Sequence, residues 1–278
     1  MTLGSQSDVT RNWVQYTHLE KLYGYLPGMQ RILPDIFDMS QEEYEEVRGS
    51  FEAAARAAAG ELLGDERVAG LVDALPVSAG QRILAVGDSV TDDLQSWAEV
   101  LRHLLEIRRS DDAITVINAG LSAHTTAMVL RRWPATLAPR PDLVICALGG
   151  NDVTRVGPDA AKCQVSLSET LANLRELRRI ADALTTTRWV WMTPVPVHEE
   201  RVADFEPFKF GHSTWRNTDI TELAEGVLAL DDPVVDLVST FGVPADPQLQ
   251  GPDGVHPSLA GQKAITVALL ECILGSCP

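Results

Sequence analysis

Four short blocks in this sequence hold residues that together can do chemistry on an acyl carbon. They are Gly87-Asp88-Ser89-Val90, Asn118-Ala119-Gly120, Gly149-Gly150-Asn151-Asp152 and Asp253-Gly254-Val255-His256-Pro257. A serine hydroxyl attacks poorly unless a base takes its proton, and His256 is a base of the right kind for Ser89. Asp253, three residues earlier, can reach the imidazole Nδ1–H, fix the tautomer and leave Nε2 facing the hydroxyl. The negative charge that then develops on a carbonyl oxygen needs hydrogen-bond donors. The Ser89 N–H near a helix N-terminus, the Gly120 N–H and the Asn151 side-chain amide are the candidates. Taken singly, each block has a plainer use. Asp88 and Ser89 are good helix caps, Asn118–Gly120 reads as a strand-ending turn, and Asn151 or Asp152 suits an Asx turn. Asp253-Gly254 reads as a surface turn with a capping histidine. The four blocks make one site only if a fold brings them together.

From residue 81 onward the pattern supplies such a fold. Short apolar, β-branched runs at Arg82–Gly87, Ile114–Ala119, Leu143–Leu148, Arg188–Thr193 and Val234–Val238 read as strands. Helical stretches follow at Asp92–Arg109, Ala123–Trp133, Ser166–Leu184, Thr218–Leu230 and Pro257–Ile273. Alternating strand and helix predicts βαβ units: an α/β, three-layer, flavodoxin-like parallel sheet with helices on both faces. Functional groups of such sheets gather at the carboxyl ends of the strands. Three of the blocks directly follow a predicted strand. The fourth opens the last helix, with Pro257 suited to its first position.

Residues 1–80 form an N-terminal helical extension to the domain at 81–278. Ser40-Gln41-Glu42-Glu43 is a capping-box signature before an Ala-rich helix reaching Ala59, with Gly60 as its stop. A short helix covers Asp65 to Leu75 and ends at Pro76. The segment Trp13 to Phe37 is too aromatic to be disordered and is expected to pack on the main domain.

The set and order of the blocks resemble the SGNH hydrolases, also called GDSL-type esterases. GDSV matches that family's first block, NAG the second, GGND the third and DGVHP the last. The resemblance spans residues 81 to 274 and leaves the first eighty outside; valine replaces the leucine that gives the family its second name. It implies a serine esterase acting on a small-molecule ester through an acyl-enzyme on Ser89. His256 and Asp253 complete the catalytic set, and Ser89, Gly120 and Asn151 form an oxyanion hole. An acyltransferase would use the same residues. A non-catalytic ligand-binding protein would be expected to lack one of them, and a binding domain for phosphorylated ligands leaves Asp253 and His256 without a role.

Composition narrows the classes. A formal charge of −16 opposes nucleic-acid partners and anionic membranes. No run of eighteen apolar residues predicts a membrane span, and the start Met1-Thr2-Leu3-Gly4 carries no secretory pattern. With four cysteines and no CxxC pair, the expected location is cytoplasmic. Cys146 reads as a core residue and Cys272–Cys277 as a pair that a disulfide can join. No metal-ligand cluster, P-loop or GxGxxG follows a strand, so neither metal nor cofactor is expected. Oligomeric state is not legible. Asp88 and Asp152 read as loop supports, His124 as a surface helical residue, and His18, His103 and His212 as histidines without partners. The aromatic stretch His198–Trp215 reads either as a lid or as packing against the N-terminal helices.

Overall fold

The computed structural model describes residues 6–275. The chain start and Cys277 fall outside them, as do the two expectations that rest on these segments. Five helices come first: α1 (Gln6–Tyr16), α2 (Glu20–Tyr23), α3 (Met29–Ile36), α4 (Gln41–Leu63) and α5 (Glu66–Ala74). Strand β1 (Arg82–Gly87) then leads through the single turn α6 (Ser89–Asp92) and helix α7 (Trp97–Arg108) to β2 (Thr115–Asn118). Helix α8 (Thr126–Thr136), β3 (Leu143–Ala147), β4 (Arg155–Val156), α9 (Leu167–Leu184) and β5 (Arg188–Met192) follow. The remainder is α10 (Glu199–Asp204), α11 (Glu206–Phe210), β6 (Ser213–Thr214), α12 (Asn217–Leu228), β7 (Val234–Val235), α13 (Leu237–Phe241) and α14 (Leu259–Ile273).

Five parallel strands form one sheet in the order β2-β1-β3-β5-β7, while β4 and β6 make a separate antiparallel ribbon. The strands are apolar along almost their whole length because both faces are covered. Ile83, Ala85, Ile145, Val190 and Met192 face a core shared with α4, α5, α7, α13 and α14. The alternating set Leu84, Val86, Val144, Cys146, Trp189 and Trp191 faces α8, α9 and α12. The predicted α/β layers are therefore present, together with the N-terminal helices. Chain order reverses between β1 and β3, the place where open parallel sheets leave a crevice beyond their carboxyl ends. Register makes that crevice level: Gly87 pairs with Ala147, Ala147 with Met192, and Met192 with Val235.

Several element ends differ from expectation, each for a local reason. The helix expected over Asp92–Arg109 is broken, because the Asp93 carboxylate accepts the Gln95 N–H at 2.8 Å and Ser96 caps a new start. The Trp97 N–H donates to Gln262 Oε1 at 2.8 Å. Helix α8 starts three residues late, since Ala123 has φ +63° and the Thr126 N–H is held by Asp152. The last strand stops at Val235 because Asp236 caps α13. Ser258 caps α14, so Pro257 lies outside that helix. The capping box of Ser40 and Glu43 forms, but α4 passes through Gly60 and ends at Gly64. A mid-helix glycine costs only about 1 kcal/mol, which packing of Ala58 and Ala59 against the sheet core offsets.

Leu101 of α7 is wholly buried in the core between the sheet and the helical layer. Leu101→Ala is expected to lower unfolding free energy by about 2–5 kcal/mol, read from the urea midpoint; a loss under 1 kcal/mol would contradict this packing.

Candidate active site

The four blocks meet at the level ends of the strands. Ser89 is the first residue of α6, with Asp88 as its cap: the Asp88 carboxylate accepts the Val90 N–H at 3.1 Å. Asp88 is buried, and burial pushes its carboxyl up to about 6. From the other end of the chain, the turn before α14 presents His256. Gly254 holds φ +76°, and a Cβ there would stand 2.6 Å from the His198 carbonyl oxygen, so glycine alone fits this turn. His256 Nε2 lies 2.9 Å from Ser89 Oγ, and Nδ1 lies 2.5 Å from Asp253 Oδ2. The other carboxylate oxygen of Asp253 accepts the backbone N–H groups of Val255 and His256, both at 2.9 Å. Asp253 is thus clamped, and with Nδ1–H donated to it the imidazole offers Nε2 as acceptor to the serine hydroxyl.

Electrostatics follow from this packing. Burial opposes the charged imidazole, but the Asp253 charge and hydrogen bond outweigh it, with Asp93 and Asp88 adding to the pull. The net effect raises His256 above its ordinary value of 6.5. Burial likewise opposes ionisation of Asp253, yet the His256 charge and its hydrogen bonds hold it below the usual carboxylate value.

The three expected oxyanion donors are placed unequally. The Ser89 N–H lies in the first turn of a helix, where no intrahelical acceptor exists. The Asn151 amide donates only a long bond of 3.3 Å, to the His124 carbonyl. The Gly120 N–H is held within its own block by Asn118 Oδ1 at 3.0 Å. Gly120 also backs onto α6, where a Cβ would fall 2.5 Å from the Asp92 nitrogen. Its smallness therefore serves close packing behind Ser89, and its amide must leave Asn118 or share the bond to reach a ligand. Asp152 supports the third block by accepting from the Thr126 N–H at 2.9 Å and the Thr170 hydroxyl at 3.0 Å.

Beside Ser89 and Asn151 lies a cavity of about 40 Å³ walled by Val90, Met192, Val195, Trp215, Ile220 and Val255. Trp215 lines it and donates its indole N–H to the Gly150 carbonyl at 3.0 Å. The aromatic stretch 198–215 therefore packs on the sheet face covered by α8, α9 and α12, through Phe208 and Trp215, and not on the N-terminal helices.

Three expectations about single residues change. His124 is buried in the loop before α8, not on a helix surface. His18 is buried with Nδ1 at 2.7 Å from Asp92, and His103 bonds Glu106 at 3.0 Å. Sequence reasoning did not find Tyr16, whose ring centroid lies 4.6 Å from that of His256. The aromatic content of Trp13–Phe37 signalled packing, but its target, 240 residues away in the chain, carries no local signal. Among the described residues no cluster of His, Cys, Asp or Glu has the makings of a metal site, and no helix is long and apolar enough to cross a membrane.

Comparison with known proteins identifies the family and the fold. The model of the GDSL-like Lipase/Acylhydrolase family matches residues 85–264. Esterase TesA of Pseudomonas aeruginosa is 29% identical over 193 residues, covering 66% of this chain and 84% of its own. An acetylxylan esterase of Geobacillus stearothermophilus is 26% identical over 217 residues, covering 71% and 95%. A solved catalytic mutant of that organism's acetylxylan esterase Axe2 shares the fold with a TM-score of 0.58 at 24% identity, over 71% of this chain and 95% of that one. LAE5, an alpha/beta hydrolase enzyme from the metagenome of Lake Arreo, gives a TM-score of 0.55 at 21% identity, over 73% and 99%.

The electrostatic balance around the imidazole is open to measurement. The His256 ring is expected to titrate above pH 6.5 by NMR. In Asp253→Asn the strongest upward influence is gone while burial remains, so the midpoint falls. An unchanged midpoint in that variant would mean that Asp253 does not govern the imidazole.

Proposed function

This chain belongs to the GDSL-like lipase/acylhydrolase family and is a serine ester hydrolase, and we propose that it cleaves small-molecule esters of short acyl groups through an acyl-enzyme on Ser89. The observation that carries this reading is the unbroken hydrogen-bonded chain from Ser89 Oγ through His256 to Asp253. In the first half-reaction Ser89 Oγ attacks the ester carbonyl while its proton passes to His256 Nε2. Asp253 stays ionised and stabilises the imidazolium. The carbonyl oxygen, now negative, is held by the Ser89 N–H and the Asn151 amide, with the Gly120 N–H joining if it leaves Asn118. Collapse of the tetrahedral adduct breaks the bond to the alcohol oxygen, which takes the proton from His256. Water then attacks the acyl carbon, gives its proton to His256, and the carboxylic acid leaves as the proton returns to Ser89.

Acyl size follows from the walls. About 40 Å³ holds roughly three water molecules, room for an acetyl or propionyl group. Its side-chain lining is mainly apolar, as an acyl methyl requires. The acetyl group in the name of the acetylxylan esterase relative is of the size that fits.

Initial rates on p-nitrophenyl esters of rising acyl length test the proposal. Acetate and propionate are expected to exceed octanoate. Ser89→Ala is expected to fall to background, a loss of up to about 10⁶ in kcat. Asn151→Ala is expected to lose about 10²–10³ in kcat while remaining folded. Ser89-independent turnover would overturn the mechanism, and faster cleavage of octanoate than of acetate would overturn the assignment of the acyl cavity.

A further inference from the structure

The family match begins at residue 85, yet one residue of the segment before it lies on the catalytic histidine. The Tyr16 ring sits over the His256 imidazole, centroids 4.6 Å apart and planes inclined by 34°. We propose that Tyr16 is a positioning residue, which holds the His256 ring in line between Asp253 and Ser89 and keeps water from its outer face. The proposal rests on the serine mechanism above.

Independent contacts fix this placement. Gln15 donates its side-chain amide to Asp93 Oδ1 at 2.8 Å, and its carbonyl accepts the Leu94 N–H at 3.3 Å. Beyond the end of α1, His18 Nδ1 lies 2.7 Å and Lys21 Nζ 2.6 Å from the same oxygen of Asp92. Asp92 is the last residue of the turn that carries Ser89, and Asp93 is its C-cap. The segment is thus tied to the nucleophile's own turn and laid across the base. An imidazole bonded at Nδ1 and Nε2 can still rock about the line joining these bonds, and a ring packed on its face removes that freedom. Asp253, Asp93 and Asp88 all pull on the charge of His256. Tyr16 is the one uncharged aromatic wall recorded on it among the described residues. Trp13, on the same helix, is 59% exposed and serves as a control.

The expected result follows from positioning by the shape of the ring, to which the hydroxyl's bond with Asp93 and contact with Gln15 add seating only. Tyr16→Phe is expected to keep kcat within about twofold of wild type. Tyr16→Ala is expected to lower kcat by about 10-fold to 100-fold, the scale of an ångström-sized misplacement, with KM changed by less than about threefold. The rate of Ser89 labelling by a fluorophosphonate is expected to fall in parallel. Trp13→Ala is expected to leave both unchanged. All are measured well below each variant's Tm, and Tyr16→Leu repeats the test if the alanine protein does not fold. Unchanged kcat in folded Tyr16→Ala and Tyr16→Leu would overturn the proposal. So would a Phe variant as slow as the Ala variant, or a Trp13→Ala loss equal to that of Tyr16→Ala. Ser89→Ala run alongside separates the two readings: turnover that survives it overturns the serine mechanism and this proposal together, whereas Ser89-dependent turnover indifferent to Tyr16 overturns this proposal alone.

Discussion

The hydrogen bond from Ser89 Oγ to His256 Nε2 joins residues 167 apart in the chain, and much of the architecture can be read as what holds it at 2.9 Å. One end is fixed by the sheet: Gly87 is level with Ala147, and the turn after Gly87 has nowhere to go but α6. The other end is fixed by α14. Gln262 of that helix accepts the Trp97 N–H and donates to the Val90 carbonyl at 3.2 Å. The helix that follows the His256 turn is therefore bonded to the turn that carries Ser89. A shift of α14 against the sheet would have to break these bonds and reopen the core formed by Ile265, Leu269 and Leu270. Such packed layers deform little, so the separation is set by the fold and not by the flexibility of either side chain.

The same region concentrates buried acid. Asp88 and Asp152 lie in the blocks around Ser89, Asp92 and Asp93 just after the first of them, and all four are buried. Each must be compensated or held partly neutral, since a lone buried carboxylate is costly. Their treatment differs. Asp92 is desolvated, but the hydrogen bond from His18 and the charge of Lys21 bring it below the ordinary carboxylate value. Asp88 and Asp93 keep only neutral donors close by, and burial raises both to about 6. These carboxyls favour the protonated imidazole, the species that the proposed mechanism forms when Ser89 attacks.

What was legible in the sequence was what local patterning decides. Alternating apolar strands and amphipathic helices gave the layers, and the blocks at strand ends gave the residues that meet. Legibility failed where a distant partner overrides a local rule. Ala123–Thr125 has helical composition, but Asp152 claims the Thr126 N–H from another strand end. Gly120 was read as an open donor, whereas Asn118 takes its N–H while donating its own amide to the Thr91 carbonyl at 2.7 Å. His18 was read as unpartnered because Asp92 lies 74 residues away. Trp215 and Tyr16 fall in segments without strong periodicity, so nothing local assigns them to a pocket wall or to an imidazole face.

Those two aromatic residues define a division of labour. The groups expected to make and break bonds stand on the sheet's carboxyl edge and on the turn before α14, and the family match covers all of them. The walls come from elsewhere: Trp215 from a long connection after β5, Tyr16 from the N-terminal helices. Both segments are also anchored in the cores, through Val197, Val202 and Trp215 on one face and Ala58, Ala59, Val68 and Val72 on the other. Moving Trp215 would enlarge the cavity beside Ser89, and exchanging the segment around Tyr16 would reshape the space over His256 without touching Asp253. The cavity walls, Trp215 included, lie within the matched span 85–264, so Tyr16 is the wall that likeness across that span does not reach.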